Sequence, residues 1–555
     1  MEEIISTSTL WVLLGAVLVF VMQAGFCMLE TGFTRAKNAG NIIMKNSLDF
    51  AIGSISYWLV GFGIMFGINN GFVGIFDLFT GQLGTGAYIT PDGVAPSAWL
   101  IFQTVFCATA ATIVAGAMAE RTKFGAYCLY SAIISLAVYP VSGHWIWGGG
   151  WLAELGFHDF AGSTAVHFVG GLSALIGAAI IGPRIGKYTK GKPNAIPGHS
   201  LTLGALGVFL LWFGWFGFNG ASTAAFDGDS VLLASDIFIT TNLAAATGTL
   251  AAMLFTWARY KKPDISMTLN GALAGLVGIT AGCDIVEPWA ACVIGLVAGV
   301  IVVLGIEFVD KVLKIDDPVG AVGVHCFCGL FGTICVGLFA TDGGLFYGGG
   351  AKLLGVQALG LLAVAVWVTV TMSLTFFCIK KTIGLRASRE DEIQGLDTAE
   401  HGLESSYADF IPVTYAAETS SATTAIVNDT PYAPADGVKM NRISIITRTE
   451  RFEALKNALT EVGITGMTVS NVNGFGMQSG NSEFYRGVEV KARLLPKIQV
   501  DVVVCKVPVE TVVKAAKSAL HTGQIGDGKI FVYNVENAVK IRTGEIGYEA
   551  LQDDK

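Results

Sequence analysis

Two histidines lie inside strongly apolar segments of this chain, His167 in DFAGSTAVHFVGG (159–171) and His325 in DDPVGAVGVHCFCG (316–329). Both segments follow the pattern D-x-x-G-x-x-x-V-H-x-x-x-G-L without a gap. An ionisable side chain inside a bilayer is costly and indicates a functional site by default. Two neutral imidazoles that face each other share one proton and still offer a nitrogen to a small hydrogen-bonding guest.

This histidine pattern has several interpretations. Either histidine could be a core residue bonded to a neighbouring helix. A metal site is weaker, because two imidazoles without a third ligand leave a divalent ion short of ligands. Covalent catalysis is weaker still, since no serine or cysteine with an activating partner stands beside them. The pair suits ammonia, because ammonium loses its large desolvation cost with its proton, whereas potassium has no proton to lose.

The elements that hold these side chains are membrane helices. Of the 555 residues, 52% are hydrophobic and 14% charged, with 70 glycines, which lies outside the balance of soluble proteins. Apolar runs of about 20 residues, enough to cross a bilayer, recur along residues 1–382. We predict eleven transmembrane helices near residues 9–31, 47–67, 98–119, 124–143, 162–182, 199–219, 236–258, 266–282, 287–306, 321–340 and 354–379.

Basic residues lie almost entirely on alternate connections between these helices. The connections opposite them offer only Lys352. Because positive residues stay in the cytoplasm, we predict a multi-pass protein of the inner membrane with its N-terminus outside. The basic connections carry Arg35, Lys37, Lys45, Arg121, Lys123, Arg184, Lys187, Lys190, Lys192, Arg259, Lys261, Lys262, Lys311, Lys314, Lys380, Lys381 and Arg386.

The histidine pattern is an internal repeat that closes two blocks of five helices. A block with an odd number of helices inserts upside down the second time, which gives a 5+5 inverted repeat. The predicted helices five and ten then run antiparallel and bring His167 and His325 together near the middle of the membrane. Asp159 stands just before helix five and is placed to cap its N-terminus.

Aromatic residues are placed for an outer entrance to such a path. Trp147 precedes an outer connection, Phe106 lies in helix three, and helix six ends with Trp215, Phe218 and Ser222. Aromatic rings stabilise a facing cation by about 0.5–2 kcal/mol, and Ser222 could accept a hydrogen bond from it. Each ring taken singly is equally typical of the aromatic belt at a membrane interface.

Residues 1–402 resemble the ammonium transporter family (Amt/Mep/Rh). The resemblance implies a homotrimer with one pore per subunit, embedded in membrane lipid. It implies roles for seven residues, namely gate rings Phe106 and Phe218, an outer ammonium site at Trp147 and Ser222, its support Asp159, and the pore pair His167 and His325. Gly320 stands where many members carry an aspartate. The motifs are Phe106, AMAERTKFGA (117–126), HWIWGGG (144–150), DFAG (159–162), GWFGFN (214–219), DDPVGAVGVH (316–325) and GLDTAEHG (395–402).

After helix eleven the character of the sequence changes. Residues 388–437 carry ten acidic residues against one basic residue, so we interpret 383–437 as a cytoplasmic tail and flexible linker. Residues 438–555 alternate strand-like and helix-like patterns in the order βαββαβ, which favours a cytoplasmic α+β domain with a ferredoxin-like fold. The glycine-rich turns 474–480 and 522–529 are typical of anion-binding loops.

This last domain resembles the PII signal proteins through VNGFGMQSG (472–480), EFYRG (483–487), LLPK (494–497), TGQIGDGKIFV (522–532) and IRTGE (541–545). The resemblance implies ATP or ADP bound between subunits by Gly476, Gly526, Asp527, Gly528, Lys529 and Arg542. It also implies 2-oxoglutarate with Mg2+ and ATP near Gln478 and Lys497, with Gln478 as the metal ligand. Val490 replaces the modified tyrosine of many members, and Met477 and Lys540 replace arginines common at the nucleotide site.

Within the PII family a loop arginine after a tyrosine can plug a transporter from the cytoplasmic side, and the matching residues are Tyr485 and Arg486. We therefore predict ammonium transport regulated by the fused domain. The competing hypothesis is a membrane ammonium sensor with little flux. An enzyme has almost no support, since no paired nucleophile and base is visible. The net charge of −8 argues against a nucleic-acid partner.

Overall fold

The structure is a computed structural model that describes residues 4–403, 406–407, 439–448, 451–474, 483–485, 488–490, 495–523 and 526–551. The described chain forms two compact units. One consists of apolar helices and the other is built around a β-sheet.

The described part of the helical unit contains eleven apolar helices, in agreement with the predicted helical membrane fold. Ten are long and apolar enough to cross a membrane, and α8 is shorter, with fifteen residues. Their bounds are α1 Ser6–Phe33, α2 Ala36–Phe66, α3 Pro96–Ala117, α4 Phe124–Glu154, α5 Ser163–Ile181, α6 Leu201–Thr223, α7 Asp229–Tyr260, α8 Ile265–Ile279, α9 Pro288–Leu313, α10 Val322–Phe339 and α11 Lys352–Lys381.

Glycines allow α1 and α6 to pack backbone against backbone. A Cβ on Gly32 would lie 2.5 Å from the backbone nitrogen of Gly204, and a Cβ on Gly207 would lie 2.5 Å from that of Leu29. In lipid such close approach replaces the hydrophobic effect as the source of helix association, because dispersion contacts grow as the backbones approach.

Several of these helices contain a π-helical turn, which the periodicity of the sequence does not predict. Such turns widen the backbone ring locally and are frequent at functional sites. Those in α5 and α10 carry the two histidines. The turns span Tyr57–Gly61, Ile134–Val138, Ser163–Phe168, Phe308–Leu313 and Val322–Phe327.

A buried ionic network joins the connections on the side of the helical unit where α11 ends. Arg184 donates from Nη1 to Glu120 at 2.5 Å, and its Nε and Nη2 atoms form a bidentate pair with Asp316 at 2.8 and 2.9 Å. Arg35 also donates to Glu120. Arg121 is completely buried and donates to backbone oxygens of three connections, including that of Asp316 at 2.6 Å. Through Glu120 and Arg121, the AMAERTKFGA motif therefore links the connections between the helices.

The charges of this network stabilise one another. Burial alone would raise the pKa of Asp316, but Arg184 and Arg121 outweigh it and hold that pKa well below its usual range. The pKa of Glu120 is lowered in the same way, since Arg184 and Arg35 overcome burial. Carboxyls with a lowered folded-state pKa stabilise the fold above their unfolded pKa, and this stabilisation is lost as pH falls through the folded value. The network should thus persist through mildly acidic pH.

Replacing Glu120 by glutamine is expected to destabilise the helical unit by about 3–5 kcal/mol, because the substitution leaves two guanidinium groups with too little negative charge in a buried site. The measurement is the thermal unfolding midpoint of the purified protein in detergent. E154Q is the matched control, since Glu154 is exposed. Equal midpoints for E120Q and wild type would contradict the assignment.

The tail after α11 folds back onto the same side through two short helices, α12 (Arg389–Gln394) and α13 (Leu396–His401). Asp397 accepts hydrogen bonds from the backbone nitrogens of Gly40 at 3.0 Å and Asn41 at 2.7 Å. Glu400 accepts one from the nitrogen of Phe124 at 2.9 Å. Both carboxylates thus satisfy free N–H groups at helix starts, where the helix dipole favours negative charge.

The second unit has the predicted βαββαβ order and a four-stranded antiparallel sheet with strand order β2-β5-β1-β6. Ile443, Ile445, Val500 and Val502 form its core with both helices. A separate two-stranded hairpin, β3 with β4, lies between β2 and β5 along the chain. The bounds are β1 Met440–Thr447, α14 Phe452–Glu461, β2 Thr468–Gly474, β3 Glu483–Tyr485, β4 Val488–Val490, β5 Leu495–Val504, α15 Val509–Leu520 and β6 Lys529–Val535.

Candidate functional site

The two histidines of the repeat lie side by side in the interior of the helical unit. His167 Nδ1 and His325 Nδ1 are 3.3 Å apart, and the exposed fractions of the residues are 0% and 4%. A shared Nδ1 proton makes one ring a donor and the other an acceptor, so their outer Nε2 atoms take opposite roles. His167 Nε2 is buried and makes no hydrogen bond to the described residues.

The last glycine of each repeat brings the two histidine helices into backbone contact. A Cβ on Gly171 would lie 2.2 Å from the nitrogen of Cys326, the residue after His325. A Cβ on Gly329 would lie 3.1 Å from the nitrogen of Phe168, the residue after His167, and 2.6 Å from the oxygen of Ser163. The contacts are reciprocal, so each glycine positions the histidine of the other repeat.

The first aspartate of each repeat closes a matching turn before its helix. Asp159 accepts backbone hydrogen bonds from Gly162 at 3.1 Å and Thr164 at 2.9 Å. Asp317 accepts them from Gly320 at 3.0 Å and Val322 at 2.8 Å, at the same spacings. Both glycines have positive φ, +115° and +84°. Gly320 therefore supplies the left-handed backbone that this turn requires.

Asp159 makes a third backbone hydrogen bond, from the nitrogen of Ala165 at 2.8 Å. Burial raises the pKa of Asp159 to about 6, and the backbone hydrogen bonds oppose that shift. Neighbouring residues tie the turn to the end of α8, because Phe160 and Ala161 donate to the backbone oxygens at 281 and 280. The carboxylate thus holds the start of the His167 helix in place.

Stacked aromatic rings cover His167 on one side. Phe106 and Phe218 stack with ring centroids 4.1 Å apart, and Phe218 stacks on His167 at 5.3 Å. Trp215, which the sequence suggested as part of the outer entrance, is instead fully buried and stacks on His167 at 4.9 Å. Its indole nitrogen donates to Thr280 Oγ1 at 2.9 Å. The rings of Phe106, Phe218 and His167 therefore form one continuous stack.

Trp147 and Ser222 lie at the end of this stack that is away from the histidines. The Trp147 ring packs edge-on against Phe106 at 6.2 Å, and its nitrogen donates to the backbone oxygen of Asp159 at 2.6 Å. Ser222 donates its hydroxyl hydrogen to the backbone oxygen of Phe218 at 2.7 Å. The serine oxygen therefore remains an acceptor, and the tryptophan offers only its π-face.

On the opposite side His325 borders a cavity of about 20 Å³, which has room for about one water-sized molecule. Most of its lining is apolar, and Glu30 and Asn270 are the other polar side chains. The sequence analysis missed both. A carboxylate in the apolar run of α1 was a usable signal, since such residues are rare in membrane helices. The lining consists of Phe26, Leu29, Glu30, Ile113, Asn270, Leu273, Val319, Ala321, Val324 and His325.

In the second unit the candidate anion site lies at one end of the sheet. Gly526 and Gly528 have φ of +113° and +117°. Between them Asp527 accepts hydrogen bonds from Thr522, whose side chain is the first cause of its lowered pKa. Thr447 donates its hydroxyl hydrogen to the backbone oxygen of Asp527 at 3.0 Å. A Cβ on Gly528 would lie 2.0 Å from the backbone oxygen of Ile446, so only glycine fits there.

The strand register brings two predicted lysines to this end of the sheet. Lys529 pairs with Ile446 on one side of β1, and on the other side Thr447 pairs with Ile498, next to Lys497. Arg542 lies exposed in a separate turn after β6. Gly476, Gln478 and Arg486 lie outside the described residues, as does the side chain of Tyr485.

Long apolar helices that enclose a buried histidine pair define a multi-pass helical membrane protein. A profile described as Ammonium Transporter Family matches residues 10–407, and one described as Nitrogen regulatory protein P-II matches residues 440–545. The chain belongs to the ammonium transporter family and carries a PII domain at its C-terminal end. It is accordingly a transporter family member and not an enzyme.

Individual relatives agree with this assignment. The chain is 45% identical over 419 residues to ammonium transporter Amt2 of Archaeoglobus fulgidus, which covers 70% of this chain and 86% of that protein. A structure titled "Sensor Amt Protein" is 41% identical with a TM-score of 0.67, covering 71% of this chain and 98% of that one. Mep2 of Candida albicans is 30% identical with a TM-score of 0.66, covering 74% and 93%.

Proposed function

We propose that the protein moves ammonium across the membrane by passing ammonia, without its proton, along the His167–His325 pair. The observation that carries this proposal is the buried Nδ1–Nδ1 distance of 3.3 Å beneath stacked phenylalanine rings. A residual desolvation penalty of about 10 kcal/mol for the ion would slow passage by roughly seven orders of magnitude. Deprotonation removes most of that barrier, and potassium has no equivalent step.

Recruitment of ammonium takes place at Trp147 and Ser222 in this proposal. The indole N–H of Trp147 is already bonded, so the ring contributes its π-face, worth about 0.5–2 kcal/mol to a cation. Ser222 contributes an acceptor oxygen. Such weak binding permits release, and the Phe106 and Phe218 rings then separate the ion from the histidines.

The membrane orientation follows the basic residues. The tail helices α12 and α13 contact three basic connections, through hydrogen bonds of Glu392 and Glu400 with Lys37, Phe124 and Ile185. Since basic connections stay inside, we place this side and the PII domain in the cytoplasm of a cell with the transporter in its inner membrane, and the N-terminus outside.

The PII domain is proposed to bind ATP or ADP. Phosphate fits the turn at Gly526–Lys529, because backbone amides of positive-φ glycine turns bind anions and Lys529 and Lys497 supply positive charge at the same end of the sheet. The resemblance places Mg2+ at Gln478 and 2-oxoglutarate near Lys497, next to the phosphates of the nucleotide. Binding of these ligands would make the domain respond to the metabolic state of the cell. Arg542 is assigned to the phosphates by the resemblance alone.

A homotrimer is supported by an exposed apolar face on the sheet. Val503, Phe531 and Tyr533 lie on the face opposite the helices, as their pairing with Arg442 and Ser444 shows, and are 40–53% exposed. Exposed apolar patches of this kind mark contacts between subunits. Clefts between copies would then border the glycine turn.

Deleting residues 438–555 is expected to leave ammonium flux intact and to remove its response to ATP, ADP and 2-oxoglutarate. The linker of about 50 residues has a root-mean-square reach near 40 Å and gives a tethered domain an effective concentration around millimolar. Even a weak block by the loop carrying Arg486 would therefore act on the pore. Flux into liposomes with nucleotide on the cytoplasmic side is the measurement, and an unchanged response after deletion refutes this regulation.

A second candidate is a membrane ammonium sensor, favoured by the 41% identity to the "Sensor Amt Protein" structure. The two functions differ in flux. Purified full-length protein in liposomes should produce a current or an internal pH change after an ammonium jump if it transports. Ammonium binding without either signal would support the sensor.

A further inference from the structure

Glu30 is a buried carboxylate that borders two separate cavities of the helical unit. It is 3% exposed and lies near the inner end of α1. One cavity, of about 20 Å³, lies next to His325. The other measures about 10 Å³ and is lined by Asn41, Lys45, Tyr130 and other residues nearer the tail side. Of the residues that line them, Glu30 alone is common to both.

The two oxygens of Glu30 have different surroundings. Oε2 accepts a hydrogen bond from Asn46 Nδ2 at 2.9 Å. Beside Oε1 stands Gly116, whose Cβ, if present, would lie 3.2 Å from that oxygen and 2.5 Å from Val319. Val319 lines the His325 cavity. Because Gly116 has no Cβ, the space between Glu30 Oε1 and the His325 cavity stays open.

A structural ion pair would be the simplest explanation of Glu30, but the contacts argue against it. Among the residues that the structure describes, Glu30 takes part in no salt bridge. Lys45, the nearest basic side chain on the second cavity, donates instead to the backbone oxygen of Thr122 at 2.7 Å. Glu30 is therefore available to exist in either protonation state.

The second cavity carries polar atoms that have no protein partner. Asn41 Oδ1 and Tyr130 Oη are buried, line this cavity and make no hydrogen bond to the described residues. Buried polar atoms are almost always satisfied by ordered water when protein groups do not reach them. A single water molecule here would connect Glu30 with the tail side.

We propose that Glu30 returns a proton to ammonia after the molecule has passed His325, which rests on the proposed function. The protonated side chain donates its O–H proton to the ammonia lone pair, giving ammonium and the Glu30 carboxylate. A hydronium ion in the second cavity then gives its proton to the carboxylate and leaves water. The ammonium formed cannot return past the histidines without a large desolvation cost, so protonation commits it to the cytoplasm.

The test is inward ammonium flux into liposomes containing the full-length protein, recorded at several internal pH values. E30Q preserves the hydrogen bond from Asn46 but removes the exchangeable proton, so flux should fall at least threefold and lose its dependence on internal pH. E30D should restore most of the flux and the pH profile, which a purely structural role would not do. E154Q, at an exposed site, is the charge-matched control.

Y130F decides the question if E30Q does not fold. It removes only a hydroxyl of the second cavity and should lower flux most at high internal pH. Y139F is its control, because Tyr139 is also buried, makes no hydroxyl hydrogen bond to the described residues and lines neither cavity. If the wild-type protein transports ammonium and E30Q or Y130F shows the same flux and the same pH profile as wild type, the role of Glu30 is overturned. Absence of wild-type flux refutes the proposed function instead.

Discussion

Replacing His167 by alanine is expected to lower ammonium flux at least tenfold in a protein that remains folded. The substitution removes both the Nδ1 that faces His325 at 3.3 Å and the buried, unpartnered Nε2. A hydrogen bond that ammonia cannot make in a dry chamber costs about 1–3 kcal/mol, and each 1.4 kcal/mol is a factor of ten in rate. H325A should behave in the same way, because the two rings share one proton.

Flux into liposomes after an ammonium jump measures this effect, with size-exclusion profiles to verify folding. C326A is the matched control, since Cys326 is buried next to His325 and its truncation perturbs the helix without removing an imidazole. Its flux should stay within about twofold of wild type, as expected for a small apolar change. Flux through H167A equal to that through C326A would refute the histidine pathway.

The repeat in the sequence contained more of this site than periodicity alone could reveal. Its histidines, aspartates and glycines all occupy matching positions in the structure. What the sequence could not reveal is the function of the final glycines, Gly171 and Gly329, because a glycine in a helix is equally compatible with simple packing or flexibility. Only the crossing of α5 and α10 shows that each faces the backbone next to the other histidine.

Depth along the membrane and local helix geometry were also beyond the sequence. Trp215 was grouped with the entrance because it stands with Phe218 and Ser222 near the end of helix six, yet it lies one turn deeper than Phe218, against His167. Asp159 and Asp317 accept backbone hydrogen bonds at the starts of the π-helical turns that carry the histidines, and hydrophobic periodicity predicts neither the turns nor these bonds.

The order of the main elements of the PII domain was predictable, because strand and helix patterns have different periods. The hairpin of β3 and β4 was missed, since each strand has three residues and contains a charged residue. Glu30 was missed because of the length of the hydrophobic segment that contains it. The apolar run around it is long enough that a single carboxylate barely changes its hydropathy.

Replacing Gly171 by alanine should separate the two histidines and so abolish most of the flux without touching either imidazole. The added Cβ would lie 2.2 Å from the Cys326 nitrogen and 2.6 Å from the His325 carbonyl carbon, whereas ordinary contact begins near 3.4 Å. Backbone atoms cannot rotate away as a flexible side chain can, so α5 and α10 must move apart by about 1 Å. Overpacking of this kind typically costs about 1–3 kcal/mol.

The same glycine-to-alanine change at Gly125 provides the control, because a Cβ there meets nothing within 4 Å. G125A should retain wild-type flux and melting temperature, whereas G171A should lose most flux and melt earlier, and G329A should follow G171A because its contact is the reciprocal one. If G171A carried ammonium as fast as G125A, the passage of ammonia would not depend on the 3.3 Å distance between the two imidazole rings. The histidines would then act separately, each through its own hydrogen bond to the passing molecule.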